Sequence, residues 1–260
     1  YFIVEVVRAL AEDAGNLEEI GVTTLPSQVF TGGVRQVIDR RLKRTPKNAR
    51  PLLRVAAIAG RILDRRMLTH VAKRLPLEHR WDVTDWLATC AEAAVLEVHE
   101  DEWQFAHDKL REALLELIDA DELPSLHRHV AEALEAVYPN DDTLAAILVE
   151  HWHAAGNHEK AIQYAAIAGE RALILGAFTE GKALLSSVLD IDDDTSTSQS
   201  CMLLLRLMGA LHWRTSDYDQ AALYYAQSLA MANASGDNIS IAEALNGLSF
   251  VDSLRGNYPF

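Results

Sequence analysis

The chain has 260 residues, 49% hydrophobic and 24% charged, a balance typical of globular proteins that excludes a disordered or collagen-like chain. Its net charge of −14 argues against nucleic acid as a general partner. No apolar run of about 18 residues occurs, and the first residues lack a secretory-signal pattern, so the sequence predicts a soluble, cytoplasmic protein that does not cross a membrane. Cys90 and Cys201 lie in apolar helical patterns and are predicted to be buried, reduced thiols.

The charge is distributed unevenly along the chain. The segment from Arg35 to Arg80 holds 14 lysine and arginine residues against three acidic ones, a balance of +11, whereas the rest of the chain carries −25. Such a basic segment indicates a solvated face or a face that docks onto an acidic partner or a separate module.

Residues 1–45 open on the amphipathic run YFIVEVVRAL and are predicted to be a helical remnant or linker. Because the chain starts at Tyr1 and stops at 257–260 as a new motif opens, we expect it to be a piece of a longer protein.

Residues 46–122 carry the pattern of a winged-helix domain. Helices are predicted over about 47–60, 65–74 and 82–93, a β-hairpin over about 94–106, and a further helix over about 107–118. Asp64 and Asp82 stand where helix N-caps are expected. The order of three helices and a hairpin is that of a winged helix.

The remaining residues predict helices only. Residues 123–157 are predicted to be connecting helices, and 158–260 to be stacked helix pairs. A turn followed by an aromatic residue recurs at a constant interval, at Phe178, Tyr218 and Tyr258. Gly209 and Ala221 are expected where paired helices approach most closely. The acidic loop 192–200 is expected to be a solvated connection. The predicted fold class is therefore mainly α, with one small hairpin followed by a helical superhelix.

The run DYDQAALYYAQSLAMANASGD at 217–237 resembles a tetratricopeptide repeat. Gly209, Tyr218, Ala221 and Tyr225 stand at the family's marked positions. The sequence departs from the family at two places: Ser228 stands where it usually has alanine, and Ser249 where the next repeat usually has glycine. The resemblance covers about 158–260 and implies a scaffold that binds a protein or peptide.

The first half resembles the region after the nucleotide-binding module in STAND-class signal-transduction ATPases. The resemblance is carried, in order, by YFIVEVVRAL, VRQVIDRRLKRTPKNARPLLRVAAIAG, WQFAHDKLREALLELI, LHRHVAEALEAV and ILVEHWHAAGNHEKAIQYAAIAG. Phe105-Ala106-His107-Asp108 is similar to the family's MHD motif, with Ala106 in place of methionine. The resemblance implies that His107 contacts the β-phosphate of ADP in the intact parent. It also implies that a missing ATPase module, with ADP or ATP, packs against the winged helix.

His107 also has a simpler interpretation. A histidine at the junction of a strand and a helix can be satisfied by local backbone. Asp108, in the first turn of that helix, would favour the helix dipole.

Catalysis and metal binding find little support in the sequence. The motif GxxxxGK[ST] of phosphate loops does not occur, so this chain is not expected to bind nucleotide by itself or to be an enzyme. His127 and His129, like His151 and His153, are two residues apart, so on a helix they point about 200° apart and cannot share an ion. We expect no metal site and interpret these histidines as packing or surface residues.

Specific DNA binding is not expected either. The third predicted helix, the one that would enter the major groove, contains Asp82, Asp85 and Glu92 but no lysine, arginine, asparagine or glutamine.

The sequence therefore favours a non-catalytic regulatory and protein-interaction fragment of a STAND-type ATPase. The alternative is a stand-alone helical-repeat adaptor that only binds a peptide or protein. A phosphate loop upstream of Tyr1 would distinguish the first from the second.

Overall fold

The computed structural model describes residues 38–189 and 199–256. Three predictions fall outside them: the helical linker over 1–37, most of the acidic loop 192–200, and the last turn with Tyr258. The described residues are mainly helical, with one small antiparallel sheet of two strands. They belong to two compact units that divide between Glu122 and Leu123, here called unit 1 and unit 2. None of the described helices is long and apolar enough to cross a membrane.

Unit 1 contains a helical stretch over 38–44, four further helices and a hairpin. The helices are α1 (Arg50–Ala59), α2 (Arg65–Arg74), α3 (Val83–Glu92) and α4 (Asp108–Glu116), and the strands are β1 (Leu96–His99) and β2 (Glu102–Phe105). The 3₁₀ turns Lys47–Ala49 and Leu77–His79 precede α1 and α3. The predicted helices and hairpin are confirmed to within a few residues.

Aspartate side chains begin two of these helices. Asp64 accepts hydrogen bonds from the backbone N–H groups of Arg66 and Met67 at the start of α2. Asp82 does the same for Thr84 and Asp85 at the start of α3, and these bonds lower the pKa of its carboxyl. Both predicted N-caps are confirmed, because each carboxylate satisfies amides that have no partner inside the helix.

The hairpin is attached to the chain between α1 and α2. Within it Leu96 pairs with Phe105, and the turn at Glu100 and Asp101 has positive φ values of 50° and 66°. Ile62 forms an antiparallel bridge to Gln104, while Leu63 N–H donates to the Trp103 carbonyl at 2.7 Å. A short extended segment therefore lies along β2 and holds the hairpin against the helices.

The core of unit 1 is built from the apolar faces of these elements. Trp86 and Phe105 are its largest fully buried side chains, and Trp86 Nε1–H donates to the Ala49 carbonyl at 3.0 Å. Cys90 is buried among them, and burial raises the pKa of its thiol to about 12. Cys201, in unit 2, forms no disulfide with Cys90 and is only half-buried, which corrects the prediction of a buried thiol for that residue.

Unit 2 is a succession of helices in which each packs on the next. They are α5 (Leu123–Val137), α6 (Ala145–Ala154), α7 (His158–Leu175), α8 (Phe178–Leu189), α9 (Gln199–Arg214), α10 (Tyr218–Ser235) and α11 (Asn238–Leu254). Besides its neighbours in sequence, α9 packs on both α7 and α11. These three helices therefore form one layer.

Positions one repeat apart in unit 2 are structurally equivalent. Gly176, Ser216 and Gly256 all have positive φ, of 76°, 62° and 75°, at the turn that ends a helix. Gly169 on α7 faces Leu185, and Gly209 on α9 faces Tyr225 in the same way. The period seen in the sequence is therefore also a period of backbone geometry and packing.

Tyr225 fits between two glycines. A Cβ added at Gly209 would lie 2.9 Å from its ring, and one added at Gly247 would lie 2.4 Å from it. Gly209 is confirmed as a point of close helix approach, and Ala221 is fully buried. On α11 the close approach occurs at Gly247, two residues before Ser249.

Candidate functional site

His107 lies between β2 and α4, at the N-cap of α4. Its backbone is extended, with φ −155° and ψ 140°, and its Nδ1 accepts a hydrogen bond from the Lys109 N–H at 3.1 Å. The side chain is half-buried. The imidazole therefore replaces the serine or aspartate that more often caps a helix.

The cap determines which ring nitrogen of His107 carries the hydrogen. Because Nδ1 of His107 accepts, the neutral imidazole holds its hydrogen on Nε2. Nε2–H is a donor of the kind that binds phosphate oxygens. The cap contact at Nδ1 and a contact made by Nε2–H use opposite sides of the ring.

Asp108 is the first residue of α4 and stands in its first turn, as predicted. Its carboxylate lies 3.3 Å from Nη1 of Arg61, and both side chains are more than half exposed. An exposed pair of this kind contributes less than about 1 kcal/mol. The backbone carbonyl of Arg61 also accepts from Phe105 N–H at 3.2 Å, so Arg61 contacts both ends of the His107 junction.

Four arginines of unit 1, in the described residues, contact helix ends. Their guanidinium groups donate to backbone carbonyls at or just after the end of a helix. The pairs are Arg41 with Ala94 at 3.1 Å, Arg50 with Thr45 at 3.2 Å, Arg80 with Leu75 at 3.0 Å and Arg111 with Ala57 at 2.8 Å. Carbonyls there lack an intrahelical partner and lie at the negative end of the dipole, so positive charge stabilises them. Part of the basic segment is thus used inside the unit, which spacing alone did not predict.

The exposed face of α3 carries acidic and small side chains. Val83, Trp86 and Leu87 turn into the core, whereas Asp85 and Glu92 are exposed. This face offers phosphate no positive charge.

A near match to a phosphate loop occurs at 176–183, where the sequence reads GAFTEGKA. Gly176 forms the turn before α8, and Gly181 lies within α8, where an added Cβ would come within 2.7 Å of Ala172 Cβ. Lys182 donates to the Thr215 hydroxyl at 3.1 Å. These glycines allow a turn and close helix packing, and the element before them is the helix α7, whereas a phosphate loop follows a strand.

Two histidines meet across α5 and α6. Nδ1 of His127 lies 2.9 Å from Nδ1 of His151, and His151 is only 5% exposed. Burial, and secondarily the charge of His127, lowers the pKa of His151 to about 4. The interpretation of these residues as packing or surface residues holds, because this pair packs between two helices and His153 is exposed. The pair could not be found from spacing within one helix, because its members lie on different helices.

Glu135 joins three helices of unit 2. Its Oε1 accepts from Trp152 Nε1–H at 2.8 Å and from the Tyr164 hydroxyl at 3.0 Å, and Lys160 Nζ lies 2.7 Å from Oε2. Burial and the neighbouring carboxylate raise the pKa of Tyr164 to about 12. This polar cluster links α5, α6 and α7, and no motif in the sequence signals it.

Within the described ranges, no group of three or more histidine, cysteine, aspartate or glutamate side chains could hold a metal ion. Comparisons of the chain with known protein families, with curated proteins and with solved structures give no match.

Proposed function

We propose that the chain is a non-catalytic regulatory and protein-interaction region of a STAND-type ATPase. In this proposal unit 1 is a winged helix that senses the nucleotide state, and unit 2 is a tetratricopeptide-like array that binds a signal or partner. The observation that carries the proposal is the position of His107, at the junction where a hairpin strand meets a helix.

The arrangement of unit 1 supports a winged helix. Three helices are followed by a hairpin. The segment at Ile62, which lies between α1 and α2, forms a bridge to β2. A hairpin of four-residue strands is marginal by itself and needs such support. The bridge at Ile62 thereby holds the hairpin, and with it the His107 junction, against the segment between α1 and α2.

The packing of unit 2 supports a tetratricopeptide-like array. Helix pairs repeat at the interval seen in the sequence, with a glycine–large side chain contact at Gly169 and Leu185 that recurs at Gly209 and Tyr225. Stacked pairs present extended surfaces, which is why such arrays bind partners.

His107 has a chemistry that suits the nucleotide proposal. With Nδ1 accepting from Lys109, the neutral ring carries its hydrogen on Nε2, and in this proposal Nε2–H is the donor to the β-phosphate of ADP in the intact parent. The nucleotide itself, ADP or ATP, would be bound by the ATPase module that packs against unit 1. Binding of a signal to unit 2 would then bias the equilibrium between closed and open states.

The native gene product tests this proposal. We would purify it from its source, measure its mass, and identify by chromatography any nucleotide released on denaturation. A protein longer than this chain that carries about one ADP per molecule is expected. A native protein of this length without nucleotide would contradict the proposal and favour the stand-alone adaptor.

A further inference from the structure

An open groove runs between α6, α7 and α8 in unit 2. Its volume is about 770 Å³, which is in the range of ligand-binding clefts. One wall is the stretch from Asp142 to His153, the floor is α7 from Ala168 to Leu175, and the other wall is α8 from Glu180 to Ser187. This wall is a 3₁₀ turn at 142–144 followed by α6, and its α6 part up to His153 spans about 12 Å at the rise of a helix, which is room for about two helical turns.

The floor of the groove is apolar and lined by small side chains. Ala168 and Ala172 are both buried, and Val149 closes one side. Leu175, at the end of the floor, is 64% exposed. These small side chains make the floor apolar, and covering the exposed Leu175 would remove apolar surface from water.

The rim of the groove is acidic. Asp142 and Glu150 stand on one wall and Glu180 on the other; all are exposed, and none makes an ion pair within the part of the chain that the structure describes. Arg171 is the cation among the described lining residues. The three carboxylates of the rim outnumber this one guanidinium.

The net charge of unit 2 as a whole is negative, like that of the rim. Residues 123–260 contain 17 acidic and seven basic side chains, a balance of −10. A field of this sign attracts basic partners and repels acidic ones before contact is made.

We propose that this groove binds a basic amphipathic helix of a partner protein. Aliphatic side chains at i, i+4 and i+7 of that helix would lie on the alanine floor, and lysine or arginine on either side would pair with Glu150 and Glu180. The inference rests on the proposed partner-binding function of unit 2 and names the class of partner.

The probe for the test is a fluorescein-labelled peptide of about 18 residues that forms three or more helical turns in the bound state. Leucine occupies i, i+4 and i+7, and lysine flanks this stripe. A second peptide replaces every lysine with glutamate. Fluorescence anisotropy against the whole chain gives both affinities. We expect the lysine peptide to bind at least about tenfold more tightly than the glutamate peptide, with affinity that falls as salt rises.

Variants of the chain locate the binding. The double substitution Glu150→Lys with Glu180→Lys should lower the affinity for the lysine peptide by about tenfold or more. Ala146 is an exposed residue that lines the groove. Ala146→Trp should therefore lower the affinity for the lysine peptide, because the indole fills part of the groove. Glu170→Lys is the matched control, because Glu170 is exposed on α7 but does not line the groove. Circular dichroism confirms that each variant is folded.

Three outcomes would overturn the inference: equal binding of the two peptides, an equal loss from Glu170→Lys and from the double substitution, or no peptide binding because the chain self-associates through the groove. The probe test requires neither nucleotide nor parent protein. Its failure would therefore leave the nucleotide proposal unaffected, and a native protein without ADP would leave peptide binding unaffected.

Discussion

At the scale of single residues, His107 combines two interactions that substitution can separate. Its Nδ1 caps α4, while Nε2 is the proposed phosphate donor. His107→Ala should remove both. Loss of an N-cap costs about 1 kcal/mol, which thermal unfolding of the chain would detect. Loss of a charge-assisted phosphate contact costs about 1.5–3 kcal/mol, so ADP should dissociate from the intact parent about ten- to a hundredfold faster.

His107→Asn is the matched control for this prediction. Asparagine is a good N-cap residue, so this variant should keep the stability of the chain, but its shorter side chain has no donor where Nε2 lies. It should therefore release ADP as fast as His107→Ala. An unchanged ADP off-rate in a folded parent would refute the proposed phosphate contact.

Gly247 provides a second prediction at this scale. Alanine normally stabilises a helix by about 1 kcal/mol relative to glycine. Here the new Cβ would lie 2.4 Å from the ring of Tyr225, which Gly209 confines from the other side. We expect Gly247→Ala to destabilise the chain by about 1–3 kcal/mol in urea unfolding, because overpacking outweighs helix propensity.

Asn246→Ala, at an exposed position of the same helix, should be neutral or stabilising. Adding Tyr225→Leu to Gly247→Ala should recover part of the loss, because a smaller side chain relieves the contact. If Gly247→Ala destabilised the chain no more than Asn246→Ala, the tight packing of Tyr225 between Gly209 and Gly247 would be wrong.

At the scale of elements, the His127–His151 contact makes the α5–α6 pair sensitive to acid. The folded pKa of His151 is about 4, below the unfolded value of about 6.5, so between these values the unfolded state binds more protons. Stability is therefore fully present above pH 6.5 and falls as the pH falls toward 4. Urea unfolding should show a loss on the order of 2 kcal/mol between pH 7 and pH 5.

His151→Gln should flatten this pH dependence, because it removes the titrating group. His153→Gln is the control, since His153 is exposed on the same helix and should leave the slope unchanged. If the free energy of unfolding of His151→Gln fell as steeply between pH 7 and pH 5 as that of the unsubstituted chain, groups other than His151 would cause the pH dependence.

The exposed face of α3 predicts weak DNA binding. Asp85 and Glu92 repel phosphate, and no side chain of α3 can form a bidentate contact to a base edge. In gel-shift assays at about 150 mM salt we expect no preference between duplex sequences. A sequence-selective shift at that salt concentration would contradict this prediction.

At the scale of the whole molecule, the chain should neither bind ADP tightly nor hydrolyse ATP. The near match at 176–183 is the short turn between α7 and α8 followed by the first residues of α8, so its backbone amides are not arranged around a phosphate. One histidine cannot replace such a loop. Calorimetric titration with ADP should show no micromolar binding, and phosphate release from ATP should not exceed the buffer rate. Micromolar affinity would show that this chain contains a nucleotide site of its own.

The pattern of the sequence predicted most elements of both units. Apolar spacing located α1 to α3, the aspartates located the caps of α2 and α3, and alternation around Glu100 located the hairpin. These features depend on residues close in sequence, so local rules suffice. The repeat of unit 2 was likewise visible, because a turn with positive φ recurs in each period and Gly169 and Gly209 stand one period apart.

What the sequence by itself determined is therefore the mainly helical class, the hairpin, the helix starts and the repeat. The tertiary structure decided which distant side chains meet: His127 with His151, Glu135 with Lys160, and Tyr225 with Gly247. It also decided that alanines on α7 form the floor of a groove between acidic walls. The physical reason is that these contacts join residues on different helices, far apart in the sequence. Their geometry follows from how whole helices pack, and no local pattern encodes that packing.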